Sequence, residues 1–480
     1  MEPVKLAGLE PKAPLGYFEK FCSIPHGSGN TKQLSDYLVS FAKEHGLRYI
    51  QDKYNNVIIF GEGTCGYEDH EPVAIQGHID MVCEKDADSP INMETDPLNL
   101  THDGTYIYAK GTTLGADDGV AAAYGLALLA DKTIPHPPIE LICTVDEETT
   151  MLGAQTIDLS CLKGRKLINI DTGAEGMITV ACAGGARADI SVPVQRRAVY
   201  GPCVRLTVEG LQGGHSGSAI GKKRANANKV MGEFLRRVQE LMPICITKFK
   251  GGNKSNAIPR SCEVTLVALG MYIERINDVA QQLQKEIQEQ FDEPYVVIKG
   301  DDVDALGGNA LTTESTANVI SLLNEMPYGV LQWNPENPKQ VQTSMNIGVL
   351  ELQEDLQIVA SARSSVNAEK AEVMEKVQAM VKAHGGKYEL TWQCSAWEFK
   401  KDSPLQDTMK RVYKEMYGKD MIVRSAHGIL ECGTLCEKLP DVDCVAIGPN
   451  MVDIHTSRER LDIASFKRTW DYLLEVLKAL

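Results

Sequence analysis

Apolar positions along this chain recur in two textures. In the first, short runs of β-branched residues lack polar alternation and are separated by longer stretches whose apolar positions return every three or four residues. NNVIIF, PVAIQGHID, IELICTV and KLINID read as short strands buried on both faces, since a half-exposed strand would alternate. GNTKQLSDYLVSFAKEHG has helical spacing and stops at Gly46 after His45, a C-terminal helix signal. GVAAAYGLALLADK reads as a small-residue helix lying between strands. Strands alternating with helices predict an α/β layer architecture.

The texture changes from about Arg187. ADISVPV, CVRLTVEGL and CEVTLVAL alternate apolar and polar positions, as antiparallel strands with one wet face do. The amphipathic helices ANANKVMGEFLRRVQELM and INDVAQQLQKEIQEQF go with them. A similar order returns with SMNIGVLELQED, LQIVASARSS, the helix AEKAEVMEKVQAMVKAHGG and the strand KYELTWQCS. This predicts two related α+β halves. After Trp397 the α/β texture resumes with PLQDTMKRVYKEMYG, DCVAIGP and SFKRTWDYLLEVLKAL. The simplest chain path is one α/β domain built from 1–186 and 398–480, interrupted by an inserted α+β domain over 187–397.

A length of 480 residues agrees with more than one core. A formal charge of −16 disfavours nucleic acid and anionic membrane as partners. The longest apolar run, Val120 to Ala130, is too short to span a bilayer, and the N-terminal segment MEPVKLAGLEPKAPLGYF lacks the pattern of a secretory leader. Thirteen cysteines, scattered and odd in number, fit reduced thiols in a cytoplasm.

The candidate chemistry lies just beyond the strands. Asp146-Glu147-Glu148 follows IELICTV, His78-Ile79-Asp80 closes PVAIQ, and Asp171 ends KLIN; Asp117-Asp118-Gly119 precedes the small-residue helix, and Asp453-Ile454-His455 follows the late strand. Taken singly, these are ordinary features: a surface His–Asp pair, a helix cap, a solvated strand end. Their convergence on the C-terminal edge of a sheet, where α/β folds bind ligands, favours a site. Imidazoles mixed with carboxylates suit zinc-type ions, and so many donors suit two ions about 3.5–4 Å apart. On an extended backbone Glu147 and Glu148 would point opposite ways, so one could coordinate while the other reaches a water; Asp80, on the face of His78, could hold its tautomer.

GHIDMV, GTTLGADDGVAAA, TVDEETTMLGA, INIDTG and the late His455 resemble the di-zinc superfamily of aminoacylases, tripeptidase T and carboxypeptidase G. FCSIPHGSGN, LQGGHSG, SNAIPR, ASARSS and AHGILECGTL resemble its aminoacylhistidine (Xaa-His) dipeptidase branch, also called peptidase D, from about residue 14 onward. The resemblance implies an α/β sandwich with helices on both faces of a mixed sheet, and an inserted lid of two ferredoxin-like halves. It implies a dipeptidase with two divalent ions, zinc in family terms, with cobalt or manganese acceptable. Asp117 would bridge them, His78 and Asp171 would complete one shell, and Glu148 and His455 the other. Glu147 would be general base and then acid, Asp80 would orient His78, and His215 would stabilise the oxyanion. Arg363 and Asn256 would hold the substrate carboxylate and Glu431 its free amine. The Asp117–Asp118 peptide is often cis in such proteins. His26 stands where the branch usually has arginine, a departure that bears on substrate preference or on local structure; His26, His136 and His427 read as ordinary loop or capping histidines outside the metal set. Small dipeptides are the expected partners, and a homodimer is consistent with family precedent. An aminoacylase-like hydrolase of N-acyl or N-carbamoyl amino acids is the second reading, and a silent metal-binding scaffold the third.

Overall fold

The computed structural model describes residues 5–268 and 273–480. Residues 1–4, at the head of the segment read for a leader, and Leu269, the last residue of CEVTLVAL, lie outside the described residues. The chain forms two compact units. One comprises Met1–Cys182, Phe399–Ala426 and Leu430–Leu480; the other comprises Ala183–Glu398 with His427–Ile429.

The first unit is α/β, built on an eight-stranded mixed sheet. Its middle consists of Ile139–Thr144, Val73–His78, Lys166–Asn169 and Asp443–Ala446, adjacent in that order and mutually parallel. Every residue of Ile139–Thr144 and Val73–His78 is buried, as uninterrupted apolar runs require, so helices must cover both faces. The helix Ala116–Ala130 is one such cover. Its small residues leave almost no exposed face, and Gly77 on the strand beneath lets the helix come close. The buried Tyr124 hydroxyl donates to the Phe466 carbonyl at 2.6 Å, linking this helix to the C-terminal helix Ile463–Ala479.

The second unit carries a nine-stranded sheet. Cys203–Glu209, helix Ala227–Leu241, Ile244–Gly251, Cys262–Ala268, helix Ile273–Gln290 and Val297–Val303 form one β-α-β-β-α-β half. Its strands lie in the order fourth, first, third, second, the ferredoxin-like arrangement. The other half consists of Gly184–Val192, helix Thr313–Glu325, Val341–Leu352, Leu356–Ser364, helix Asn367–Ala383 and Lys387–Cys394, with the same order mirrored along the sheet. The halves share one sheet because Lys250–Gly251 pairs with Leu350–Glu351.

One expectation about these halves changes. ADISVPV, grouped by its alternation with the strands that follow it, belongs to the later half, where Gly184–Val192 pairs with Leu356–Ser364 and Lys387–Cys394. The first half is nested inside the second rather than preceding it, and an antiparallel ribbon of Arg196–Val199 with Gly308–Leu311 ties the two crossing points. Alternation reports a half-buried strand but carries no information about its partner.

A Cβ at Gly77 would overlap Ala121 and the Asp118 carboxylate, whereas one at the exposed helical Gly16 meets nothing within 4 Å. Gly77→Ala is therefore expected to destabilise the protein by about 1–3 kcal/mol through overpacking. Gly16→Ala should stabilise it by about 0.5–1 kcal/mol. Paired thermal melts check both, and equal melting temperatures would contradict the close approach.

Candidate metal centre

The four parallel strands end side by side, with His78 opposite Thr144 and Gln76 opposite Asn169 in register. Beneath their ends runs a row of fully buried polar side chains. Asn169 Nδ2 donates to Gln76 Oε1 at 2.8 Å, and Gln76 Nε2 donates to Thr144 Oγ1 at 3.1 Å and to Glu431 Oε2 at 2.6 Å. Thr144 also donates to Glu431, whose carboxyl is pushed up to about 7 chiefly by burial. A glutamine and an asparagine inside otherwise apolar strands were the sequence signal for this row, and sequence reasoning passed over it.

Above the row, Asp117 stands between two imidazoles. His78 Nε2 lies 3.2 Å from Asp117 Oδ1, and His455 Nε2 lies 3.3 Å from Asp117 Oδ2 and 2.8 Å from Glu148 Oε1. His78 Nδ1 sits 2.9 Å from the Asp80 carbonyl, which can only accept, so Nδ1 carries the proton. A neutral His78 would then turn a lone pair on Nε2 toward a carboxylate; the arrangement calls for a proton or a cation between them. Burial opposes charge on His78, but Asp117 and Asp80 outweigh it and hold the imidazole well above its ordinary range. Asp117 and Glu148 hold His455 up at about 10. Burial acts to raise Asp117, yet hydrogen bonds from His455 and His78 hold it well below the usual carboxylate range. Burial pushes Glu147 and Asp171 well up, and neighbouring carboxylates add to it against the opposing field of His78.

The donor chemistry therefore fits divalent cations. Ligand atoms of Asp117, Glu148 and His455 lie within 4.8 Å of one another, as do those of His78, Asp118 and Asp171, and those of His78, Glu147 and Glu148. Among the described residues, no such group includes His26, His136 or His427. Two of these have local bonds, His26 Nδ1 to the Ile24 carbonyl at 2.6 Å and His136 Nδ1 to the Pro137 carbonyl at 2.7 Å, and His427 Nε2 lies 2.8 Å from the distant Ser344 Oγ.

Three details differ from the sequence reading. Glu147 and Glu148 occupy a turn that follows Asp146 in a left-handed conformation (φ 56°), so extended-strand alternation does not aim them. The Asp80 side chain fixes that turn: Oδ1 accepts the Glu147 N–H at 3.1 Å and Oδ2 the Glu148 N–H at 3.4 Å, while Ser28 Oγ donates to Oδ2 at 2.8 Å. The imidazole of His78 leans mainly on the Asp80 backbone, with the carboxylate at 3.5 Å. Asp118, the neighbour of the expected bridging residue across a cis peptide, is a fully buried acid beside Gly77 and was missed. Its carboxyl is pushed well up, first by burial, against His78 and the Ala121 amide. Two adjacent aspartates cannot be told apart until the backbone shows where each side chain goes.

In the second unit, His215 sits in a short pairing of Gly214–His215 with Ala257–Ile258. The Ser216 N–H donates to the Asn256 carbonyl at 2.8 Å. A Cβ on Gly217 would lie 3.1 Å from His215 Nδ1 and 3.2 Å from an Arg363 guanidinium nitrogen, so the two side chains flank one glycine. His215 and Arg363, 148 positions apart in sequence, thus come to one place, and the Asn256 backbone joins them through Ser216.

The model of peptidase family M20/M25/M40 matches residues 74–479. The cytosol non-specific dipeptidase of Escherichia coli (strain K12) is 34% identical over 99% of both chains. The solved aminoacylhistidine dipeptidase of Vibrio alginolyticus is 32% identical, with a TM-score of 0.89 over 99% of this chain and 98% of that one. Aminopeptidase PepT of Bacillus cereus, at 15% identity and a TM-score of 0.56 over 98% and 99% of the respective chains, shares the fold. On sequence and architecture alike, this chain belongs to peptidase family M20/M25/M40.

Proposed function

We propose that this chain is a cytoplasmic dipeptidase dependent on two divalent metal ions, acting on dipeptides with a free N-terminus, of Xaa-His or broader type. The observation that carries the reading is Asp117, one carboxylate oxygen turned to each of two imidazoles, with Glu148 beside the second. In this reading His78 and Asp171 would hold one ion, Glu148 and His455 the other, and Asp117 would be shared by the two. Zinc, cobalt and manganese all accept such donors. The dipeptidase names of relatives at 34% and 32% identity support the substrate class.

Bound ions would supply Lewis acidity and bring the pKa of a coordinated water down to about 7. Glu147 accepts the proton of the attacking water and later delivers it to the leaving amine. Its burial beside other carboxylates favours a carboxyl that takes up and releases a proton readily. Asp80 keeps it on station through the backbone of the turn. His215 is proposed to donate to the developing oxyanion, Arg363 and Asn256 to hold the terminal carboxylate, and Glu431 to face the free amine. The units formed by Met1–Cys182 with the C-terminal segments and by Ala183–Glu398 are proposed as catalytic domain and lid.

Glu147→Gln is expected to lower kcat by about 10²–10⁴-fold while leaving metal content unchanged. Elemental analysis beside turnover assays checks this, and a parallel loss of metal would reassign Glu147 as a ligand. In the unsubstituted enzyme kcat/KM should fall on the acid side, because a protonated Glu147 is too weakly basic to take the water proton; a pH profile without an acid limb would remove it as the base. Dipeptides should be cleaved at least about 100-fold faster than their N-acetyl derivatives, since a pocket built for a charged amine rejects an analogue that leaves its acid unpaired. Faster cleavage of the acetylated forms would establish the aminoacylase reading instead.

A further inference from the structure

Glu459 lies four residues beyond His455 in a segment, SRERLD, that reads in sequence as a solvated charge run. Its side chain is instead buried, at 3% exposure. Oε2 accepts the backbone N–H groups of Leu114 at 2.7 Å and Gly115 at 3.1 Å; Oε1 accepts those of Ala116 at 2.9 Å and Asp117 at 3.4 Å. These are donors that the start of the helix Ala116–Ala130 leaves without partners, and its N-cap, Gly115, has no side chain to satisfy them. A carboxylate more than three hundred positions away does so instead.

The consequence is a closed circuit. Glu459 grips the peptide that carries Asp117, and the chain running back from Glu459 carries His455, whose Nε2 faces Asp117 Oδ2 at 3.3 Å. The Glu459 N–H is itself bound to the Thr456 carbonyl at 3.1 Å, which shortens the path between acid and imidazole. We propose that Glu459 is a positioning residue that fixes the separation of Asp117 from His455, and so the affinity for the ion those residues share with Glu148. It touches neither ion nor substrate. The proposal rests on the reading of Asp117, Glu148 and His455 as a cation site.

The test is a titration of metal-stripped protein with zinc and cobalt, followed by calorimetry and by the cobalt absorption spectrum, for wild type, Glu459→Asp and Glu459→Gln. Glutamine would turn an NH₂ group toward backbone donors and lose part of the clasp. One of two binding events should weaken by about 10–100-fold, the usual cost of removing a group that orients a ligand, while the other, which shares Asp117 but not His455, weakens distinctly less. At saturating metal, KM for a dipeptide should stay within about twofold of wild type, and kcat should recover with added metal. Equal affinities for both ions in folded variants would overturn the proposal, as would equal weakening of both. Hydrogen exchange on the unsubstituted protein provides an arm that needs no variant. The Leu114–Asp117 amides should stay protected after metal is stripped, and loss of that protection would mean that the ion, not Glu459, orders the loop. If wild type binds no divalent cation in the same titration, the metal reading falls and this inference with it; if wild type binds two ions and the variants match it, only this inference falls.

Discussion

Asp117 turns one carboxylate oxygen toward each of two imidazoles, and much of the first unit is arranged so that it can. The parallel strands bring His78, the Glu147–Glu148 turn and Asp171 to one edge, and Glu459 and the helix start hold Asp117 over that edge. The price is a concentration of buried acids that outnumber the two imidazoles facing them. Asp118, Glu147, Asp171 and Glu431 are all pushed upward, each first by burial. Such a cluster is tolerable with cations among its members and otherwise only with protons.

Beneath the donors, the row from Asn169 through Gln76 and Thr144 to Glu431 Oε2 is hydrogen-bonded at each step, while Glu431 Oε1 is buried without a partner. Hydrogen bonds within such a row restrict the arrangement of its members, and ligand geometry at a metal centre depends on such support. Asp80 plays a comparable part on the other side. It links the imidazole of His78 to the turn bearing Glu147 and Glu148, so a shift in either would be felt by both.

How much of this could be read from the sequence depends on which physical rule wrote each feature. Strands buried on both faces leave uninterrupted apolar runs, so IELICTV and PVAIQ announced themselves, and the acids beyond them marked the edge. Orientation after a strand end is set by local backbone, which is why the alternation argument for Glu147 and Glu148 gave way to a turn beginning at Asp146. Asp118 was hidden by its neighbour, since two aspartates in one motif carry the same signal. Glu459 was hidden by composition: a glutamate between arginines looks like surface, and only the folded chain brings it to four amide groups. The pairing of Gly184–Val192 was illegible for a different reason, because periodicity describes a strand's faces and is silent about its edges.

That last strand has a bearing on biosynthesis. Val192 pairs with Leu356, and the whole ferredoxin-like half from Cys203 to Val303 is made in between. During synthesis the inner half has every strand it needs for its own order, whereas Gly184–Val192 emerges early and waits, with both of its hydrogen-bonding edges open, for neighbours still inside the ribosome. Non-local pairing of this kind is slow and leaves adhesive edges exposed. The ribbon of Arg196–Val199 with Gly308–Leu311 closes that excursion, bringing the growing chain back beside the waiting strand before its partners arrive.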